Sequence, residues 1–514
     1  MKLRPRLSVA LLLLAAGGVI SQECPMKAQM PLIKPDFAAC YAKLRSSGAA
    51  ASLGTFEAAS MQLESGSDAA AAGALDASDS LGDSVVGHFE ADGALSEAEL
   101  RNSTDQFNTL VGSTQIGVTY TFTSDPSPLE GARRLAAGGA RVHKFSLKTW
   151  SDEERRHVAP SLAEAARSPD LGYSRIFDLP LSRYVFWAYP VNNDNAYQEF
   201  YDLAVHLITK YAGTGKSFYI GHWEGDWSIR NNYKDPIIPS KVDHFVRQLS
   251  AMQKAIDAAK AEHAHLIGGP DGVKIWGYAE VNRVLKSMRD PEYKCFINQV
   301  VPAIDPPIDF LSYSNWEIEE EFERSADQLG PVLQAALDFI NCHVPPKPCV
   351  PEPRTFIGEF GYFLRNKNCT ALAAPPVVAG TGAGQPTTPE VVASRSMWHL
   401  ANAVAWGSPM TLFWQLYSNE KGSDPETGAA CDRGFWLVDE AGADAPVFTK
   451  MQSYFSSAED YLKDFAATNG RLPDLNAFRR WAVARLAALA GYEGVAPPVV
   501  RELDLSAAAV GGGH

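Results

Sequence analysis

The feature that most constrains this chain is an alternation. From about residue 116 to 416, eight short β-rich runs are separated, for the most part, by longer stretches of helical periodicity. The runs cover 116–122, 141–147, 184–188, 218–223, 273–278, 308–313, 355–359 and 410–416. Among the helical stretches, 241–263 is the clearest, with Val242, Phe245, Leu249, Met252 and Ile256 on one stripe. Alternation of this kind implies parallel strands joined by helical crossovers. Eight units predict an α/β fold of the (β/α)8 TIM-barrel type, and 46% hydrophobic residues suffice for its core. A doubly wound open sheet is the competing arrangement, but no Gly-x-Gly-x-x-Gly follows the first strand.

The flanks read differently. Lys2, Arg4 and Arg6 precede an apolar stretch, 9–20, that ends near the small residues Val19 and Ser21. This predicts a signal peptide over 1–21 and a secreted product; an uncleaved anchor is the other reading, though the run is short for a span. Residues 22–112 form an Ala/Ser/Gly-rich, partly helical extension. The barrel is expected over 113–456, a helical segment over 457–495 and a disordered tail over 496–514. In an oxidising compartment most of the seven cysteines should pair. The nearest pairings are Cys24 with Cys40, Cys342 with Cys349 and Cys369 with Cys431, leaving Cys295 as a buried thiol. Asn102 and Asn368 head glycosylation tripeptides.

Charge excludes two classes of partner. A formal net charge of -14 argues against nucleic acid and anionic membrane. No Cys-x-x-Cys or His-x-x-x-His spacing supports a zinc site, and no cofactor is expected. The mature protein is expected to be a monomer.

Two strand-like runs end in glutamate. One reads Ser217-Phe218-Tyr219-Ile220-Gly221-His222-Trp223-Glu224, the other Arg354-Thr355-Phe356-Ile357-Gly358-Glu359-Phe360-Gly361. A buried carboxylate costs several kcal/mol unless it is paired or hydrogen-bonded, so stability alone is a poor reason for either. They close the fourth and seventh runs, and in a TIM barrel the strands' C-terminal ends carry the active site.

In architecture and short motifs, residues from about 116 to 455 resemble the retaining glycoside hydrolases built on (β/α)8 barrels. In that superfamily the acid/base Glu closes strand four and the nucleophile Glu closes strand seven. The resemblance implies Glu224 as acid/base and Glu359 as nucleophile, acting on an O-glycosidic bond of an oligo- or polysaccharide. A retaining enzyme needs the two carboxyl groups roughly 5 Å apart across the scissile bond. Trp223 and Trp227 beside Glu224, with the charge of Glu359, should raise its pKa. By the same resemblance Tyr313 would hydrogen-bond the nucleophile and Trp414 would floor the sugar site. His222 and Lys144 are further candidates to reach the site. Many members carry Asn immediately before the acid/base; here Trp223 stands there. Asn192, Asn193 and Asn315 are candidates to hold the sugar 2-hydroxyl instead.

Blander readings stand beside these. Glu359 could be a structural acid paired with Lys or Arg. Asp226 would point the same way as Glu224 along an extended segment, and could replace it, position it or bind sugar. Glu280 is a third acid, or a first-turn residue of the next helix. Tyr313 and Trp414 could be core residues, and the acidic run 317–323 a solvated face. A carbohydrate-binding or structural barrel without catalysis, and an inverting glycosidase, are the competing functions.

Overall fold

The computed structural model describes residues 107–151, 156–267, 271–320, 325–374, 377 and 386–504. The expected signal peptide, residues 22–106 of the expected extension, the Cys24–Cys40 pairing, the Asn102 tripeptide and residues 505–514 lie outside them.

Eight parallel strands close into a barrel. They are β1 (Val111–Gln115), β2 (Val142–Leu147), β3 (Arg183–Ala188), β4 (Ser217–Gly221), β5 (Lys274–Val281), β6 (Phe310–Ser314), β7 (Thr355–Phe360) and β8 (Thr411–Phe413). Each pairs with its neighbours in sequence order, and β1 pairs with β8 to close the ring. The longer helices are α1 (Ser127–Ala137), α2 (Ala196–Lys210), α3 (Pro239–Glu262), α4 (Ala326–His343), α5 (Pro389–Trp406), α6 (Pro446–Asn469) and α7 (Leu475–Ala490). The barrel and its crossovers follow the alternation in the sequence.

Strand periodicity sorts the side chains into two layers. Val142, Val185, Tyr219, Trp276, Phe310 and Phe356 fill the barrel interior. Phe145, Phe186, Ile220, Leu311 and Ile357 face outward against helical residues such as Leu203, Met252 and Leu333.

The first strand is not the run 116–122 but Val111–Gln115. Its sequence, VGSTQ, has no apolar alternation, yet all five residues are buried. Gly112 admits close contact with β2, since a Cβ there would lie 2.3 Å from Val142 Cγ1. Ser113 Oγ donates to the Phe413 carbonyl at 2.9 Å, so its polar group is satisfied within the barrel. The run that resembled a strand is a rim segment, in which Tyr120 OH donates to the Val438 carbonyl at 2.6 Å.

α6 runs through the expected 456/457 boundary, and α7 packs across α5 and α6. Asp474 caps α7 by accepting from the Ala477 amide at 2.7 Å. Arg479 is buried and donates to the Val404 and Ala405 carbonyls near the end of α5, satisfying groups a helix terminus leaves open. Cys369 and Cys431 form a disulfide, Cys342 and Cys349 are each disulfide-bonded, and Cys295 is a buried thiol. Among the described residues, no helix is long and apolar enough to cross a membrane.

Candidate active site

The mouth of the barrel is built by a departure from strand regularity. Tyr313 of β6 pairs with Ile357, but Ser314 pairs with Glu359. On the other side Thr411 pairs with Ile357 and Phe413 with Phe360. β7 therefore carries one extra residue relative to both neighbours, a bulge at Gly358–Glu359. Simple alternation would send Glu359 outward with Ile357; the bulge re-aims it over the mouth. Gly358 is required by close approach, because a Cβ there would lie 1.9 Å from Ser312 Oγ.

From across the barrel, β2 sends Lys144 to meet Glu359. Lys144 Nζ donates to Glu359 Oε1 at 2.8 Å, to Glu280 Oε2 at 2.7 Å and to the Gly358 carbonyl at 3.3 Å. The side chains of Lys144 and Glu280 are fully buried. Burial works against the charge of Lys144, but Glu280 and Glu359 outweigh it and raise the ammonium's pKa. Trp316 Nε1 donates to Glu359 Oε2 at 3.2 Å. Burial pushes Glu359 up to about 7 and the charge of Glu280 adds to the rise, while Lys144 and Trp316 act against it.

Glu224 follows β4 and opens the short helical turn Gly225–Ser228. Asn282 Nδ2 donates to its Oε1. Burial first, then the charges of Glu359 and Glu280, hold the Glu224 carboxyl well above its usual range. The two acids thus differ in environment: Glu359 is held by an ammonium and an indole, Glu224 by a neutral amide.

Asp226 sits on that helical turn, not on an extended segment, and does not run parallel to Glu224. Its Oδ1 accepts from Arg230 at 2.9 Å and from the Phe296 amide at 3.0 Å. Its Oδ2 accepts from the Asn282 and Arg283 amides at 3.2 and 3.1 Å. Both oxygens are spent joining the segments after β4 and β5. The Asp226 amide in turn faces Asn282 Oδ1 at 3.4 Å, which leaves the Asn282 amino group for Glu224.

Other expected residues separate into mouth and wall. Trp414 lies at the mouth, 6.2 Å from Trp316 and 6.5 Å from Trp187, ring centroid to centroid. The Lys144 ammonium stands 4.8 Å from the Trp187 ring centroid. Trp223 is 39% exposed and its ring stacks beside that of Trp227, itself 40% exposed. Trp227 stacks in turn on Tyr233 at 4.5 Å. Tyr313 instead belongs to the helix-facing layer, because the inward positions of β6 are Phe310 and Ser312. Asn315 turns to His399 of α5, Nδ2 to Nε2 at 2.8 Å. His222 packs against Phe245 of α3 and Phe296. These three are wall residues.

Glu280, Asn282, Trp187 and Trp316 are the partners that sequence reasoning underweighted. β5 extends to Val281, so Glu280 lies inside the strand, not in a following helix. The signal was present as alternation, with Trp276, Tyr278 and Glu280 on one face. Glu317 is also buried, accepting from the Leu285 amide at 2.6 Å, so the acidic run is not a solvated face at its start. Among the described residues, no group of three or more His, Cys, Asp or Glu side chains is arranged to hold a metal ion.

No family model matches the chain, and no curated protein matches it in sequence. Among solved structures it is similar to the exo-β-1,4-mannosidase Op5Man5 from Opitutaceae bacterium strain TAV5, at 11% identity and a TM-score of 0.39, over 69% of this chain and 60% of that one. It is similar to xylanase 10B from Thermotoga maritima at 10% identity and a TM-score of 0.37, over 70% and 99%. A glucosidase from Croceicoccus marinus gives 13% and 0.35, over 68% of each chain. The chain thus spans 60% of the length of the mannosidase. Nothing of these proteins' activities carries over at such distances; the functional reading rests on this chain's own barrel and side chains.

Proposed function

We propose that this chain is a glycoside hydrolase that cleaves O-glycosidic bonds with retention, Glu359 acting as nucleophile and Glu224 as acid/base. The observation that carries the reading is the unlike environment of two carboxyl groups at the C-terminal ends of β4 and β7. An ammonium and an indole favour the ionised form of Glu359. Burial and neighbouring negative charge favour the protonated form of Glu224. Such a split is what a two-carboxyl displacement needs.

The steps follow. A Glu359 oxygen attacks the anomeric carbon as the bond to the leaving oxygen breaks. The Glu224 proton passes to that oxygen, leaving a glycosyl ester on Glu359 and a carboxylate on Glu224. Glu224 then takes a proton from water, the resulting hydroxide equivalent attacks the anomeric carbon, and Glu359 departs as carboxylate.

A polyhydroxylated ligand also fits the polar atoms around the pair. Trp187 Nε1, Trp414 Nε1 and Tyr278 OH are buried without a hydrogen-bond partner among the described residues. Donors and acceptors of this kind are costly unless something pairs with them, and sugar hydroxyls can do both. The row of exposed Trp223 and Trp227 and half-buried Tyr233, beginning next to Glu224, supplies aromatic surface on the leaving-group side. Export fits the Cys369–Cys431 disulfide and the basic, apolar start of the chain.

The test is a screen of aryl glycosides and polysaccharides with wild type, Glu359→Ala and Glu224→Ala. Hydrolysis by wild type alone, with azide restoring Glu224→Ala and giving a glycosyl azide of retained configuration, is the expected outcome. Full activity in Glu359→Ala would remove the assigned nucleophile. An inverted product would reassign the site as an inverting one.

A further inference from the structure

Glu280 has no part in the two displacements, yet it is fully buried within the site. Its Oε2 accepts from Lys144 Nζ at 2.7 Å and from Ser312 Oγ at 3.0 Å. Room for this arrangement depends on Gly358, since a Cβ there would also stand 3.1 Å from Glu280 Oε2.

We propose that Glu280 is a positioning residue, the permanent counter-ion that holds the Lys144 ammonium while Glu359 is esterified. The inference rests on the glycosidase reading. At rest the buried ammonium faces two carboxylates. When Glu359 forms its bond to the anomeric carbon it loses its charge, and the proton of Glu224 leaves with the departing oxygen. Lys144 would then be a fully buried cation beside a neutral ester. A buried charge deprived of its partner is strongly unfavourable. Glu280 keeps that partner in place, so the negative charge can move from Glu359 to Glu224 without exposing Lys144 to an empty contact. Its second effect is on ionisation, because the Glu280 charge opposes that of Glu359 across the shared ammonium.

The groups facing Glu359 are Lys144 from β2, Tyr189 after β3, Glu224 after β4, Tyr278 and Glu280 from β5, and Trp316 after β6. Of these, Glu280 is the one whose charge can be removed without touching the two acids or their direct donors.

The test is Glu280→Gln, which preserves shape and can still accept from Ser312. On an aryl glycoside, kcat is expected to fall at least roughly tenfold, as leaving a buried charge uncompensated requires. The acid limb of the kcat/KM profile should move to lower pH, since a charge that raised Glu359 is gone. Ser312→Ala, which removes a positioning hydrogen bond but no charge, should leave that limb in place. A carbon-13 titration of the Glu359 carboxyl in the free protein, assigned through its loss in Glu359→Gln, reads the same shift without any turnover. Thermal melting separates these effects from misfolding.

An unchanged titration in Glu280→Gln, or a kcat within threefold of wild type, would overturn the proposal. A shifted titration in Glu280→Gln, together with a wild-type protein that cleaves no glycoside, would remove the glycosidase reading, and with it the esterification role, while leaving the ion pairing.

Discussion

Lys144 Nζ and Glu359 Oε1 lie 2.8 Å apart, reached from β2 and β7 across the barrel rather than from neighbouring strands. The acid assigned as nucleophile is thus tied to a cation that has no access to water. Lys144→Met should leave Glu280 and Glu359 as buried carboxyl groups without their cation. Breaking a buried pair costs about 3–5 kcal/mol, so melting should drop by many degrees. In wild type, activity should rise as Glu359 ionises at about pH 7 and fall at higher pH as Glu224 loses its proton. Lys144→Met should push the acid limb of that profile upward, the opposite direction to Glu280→Gln. A pH–rate profile of the two variants side by side checks both signs.

Gly358→Ala places a methyl group against Ser312 Oγ and Glu280 Oε2. The bulge must shift, carrying Glu359 with it. A stability loss of about 1–3 kcal/mol is expected from overpacking, with a larger proportional loss of kcat. Because the tightest contact is to Ser312 Oγ, the double variant Gly358→Ala/Ser312→Ala should recover part of both. Denaturant melts and steady-state kinetics on the single and double variants form the test; a double variant worse than the sum of its parts would contradict this account of the bulge.

The same bulge marks where sequence reasoning stopped short. Strand order and the two strand-end glutamates were legible, because apolar runs of strand length alternate with helical stripes. Lys144 was legible as a charge inside the run 141–147; Glu280 was expected after the fifth run, although the alternation through Trp276 and Tyr278 continues to it. Which face each residue takes was harder to read. A one-residue bulge in β7 turns Glu359 inward, while the unbroken period of β6 sends Tyr313 outward and leaves Ser312 at the mouth. β1 escaped notice because VGSTQ is buried through backbone-satisfied polar groups rather than an apolar stripe. Partners such as Asn282 and Trp316 stand just past the ends of β5 and β6, Trp316 opening the short helix Trp316–Glu320, where strand periodicity no longer applies.

Glu317 gives a stability prediction separate from catalysis. Burial raises its pKa from 4.5 to about 8. A raised folded value means that its contribution is fully present below about pH 4.5 and is lost as pH rises through about 8. Glu317→Gln lacks that loss while keeping an acceptor for the Leu285 amide. The variant's melting temperature relative to wild type should therefore be flat below pH 4.5, climb up to about pH 8 and level off above it. A difference that falls with pH would contradict the assignment.

The aromatic row makes a prediction about chain length. Trp227→Ala removes the ring between Trp223 and Tyr233, and Trp223→Ala removes the ring nearest Glu224. An aromatic stacking contact contributes about 0.5–1.5 kcal/mol, or up to roughly tenfold in binding. KM for oligosaccharides should rise by that order in Trp227→Ala, while aryl monoglycosides, which place no sugar there, should be turned over nearly as before. Equal effects on both substrate types would move the row away from the leaving-group side.

The central claim is that Glu359 becomes covalently attached to the sugar. It is tested most directly by treating the protein with the 2-deoxy-2-fluoro form of an aryl glycoside that it hydrolyses, then digesting it and sequencing the labelled peptide by mass spectrometry. The account places one glycosyl ester on Glu359 within Thr355–Phe360, with Glu359→Ala taking no label. A label on Glu224 or Glu280, or none in a protein that still hydrolyses the parent glycoside, would contradict it.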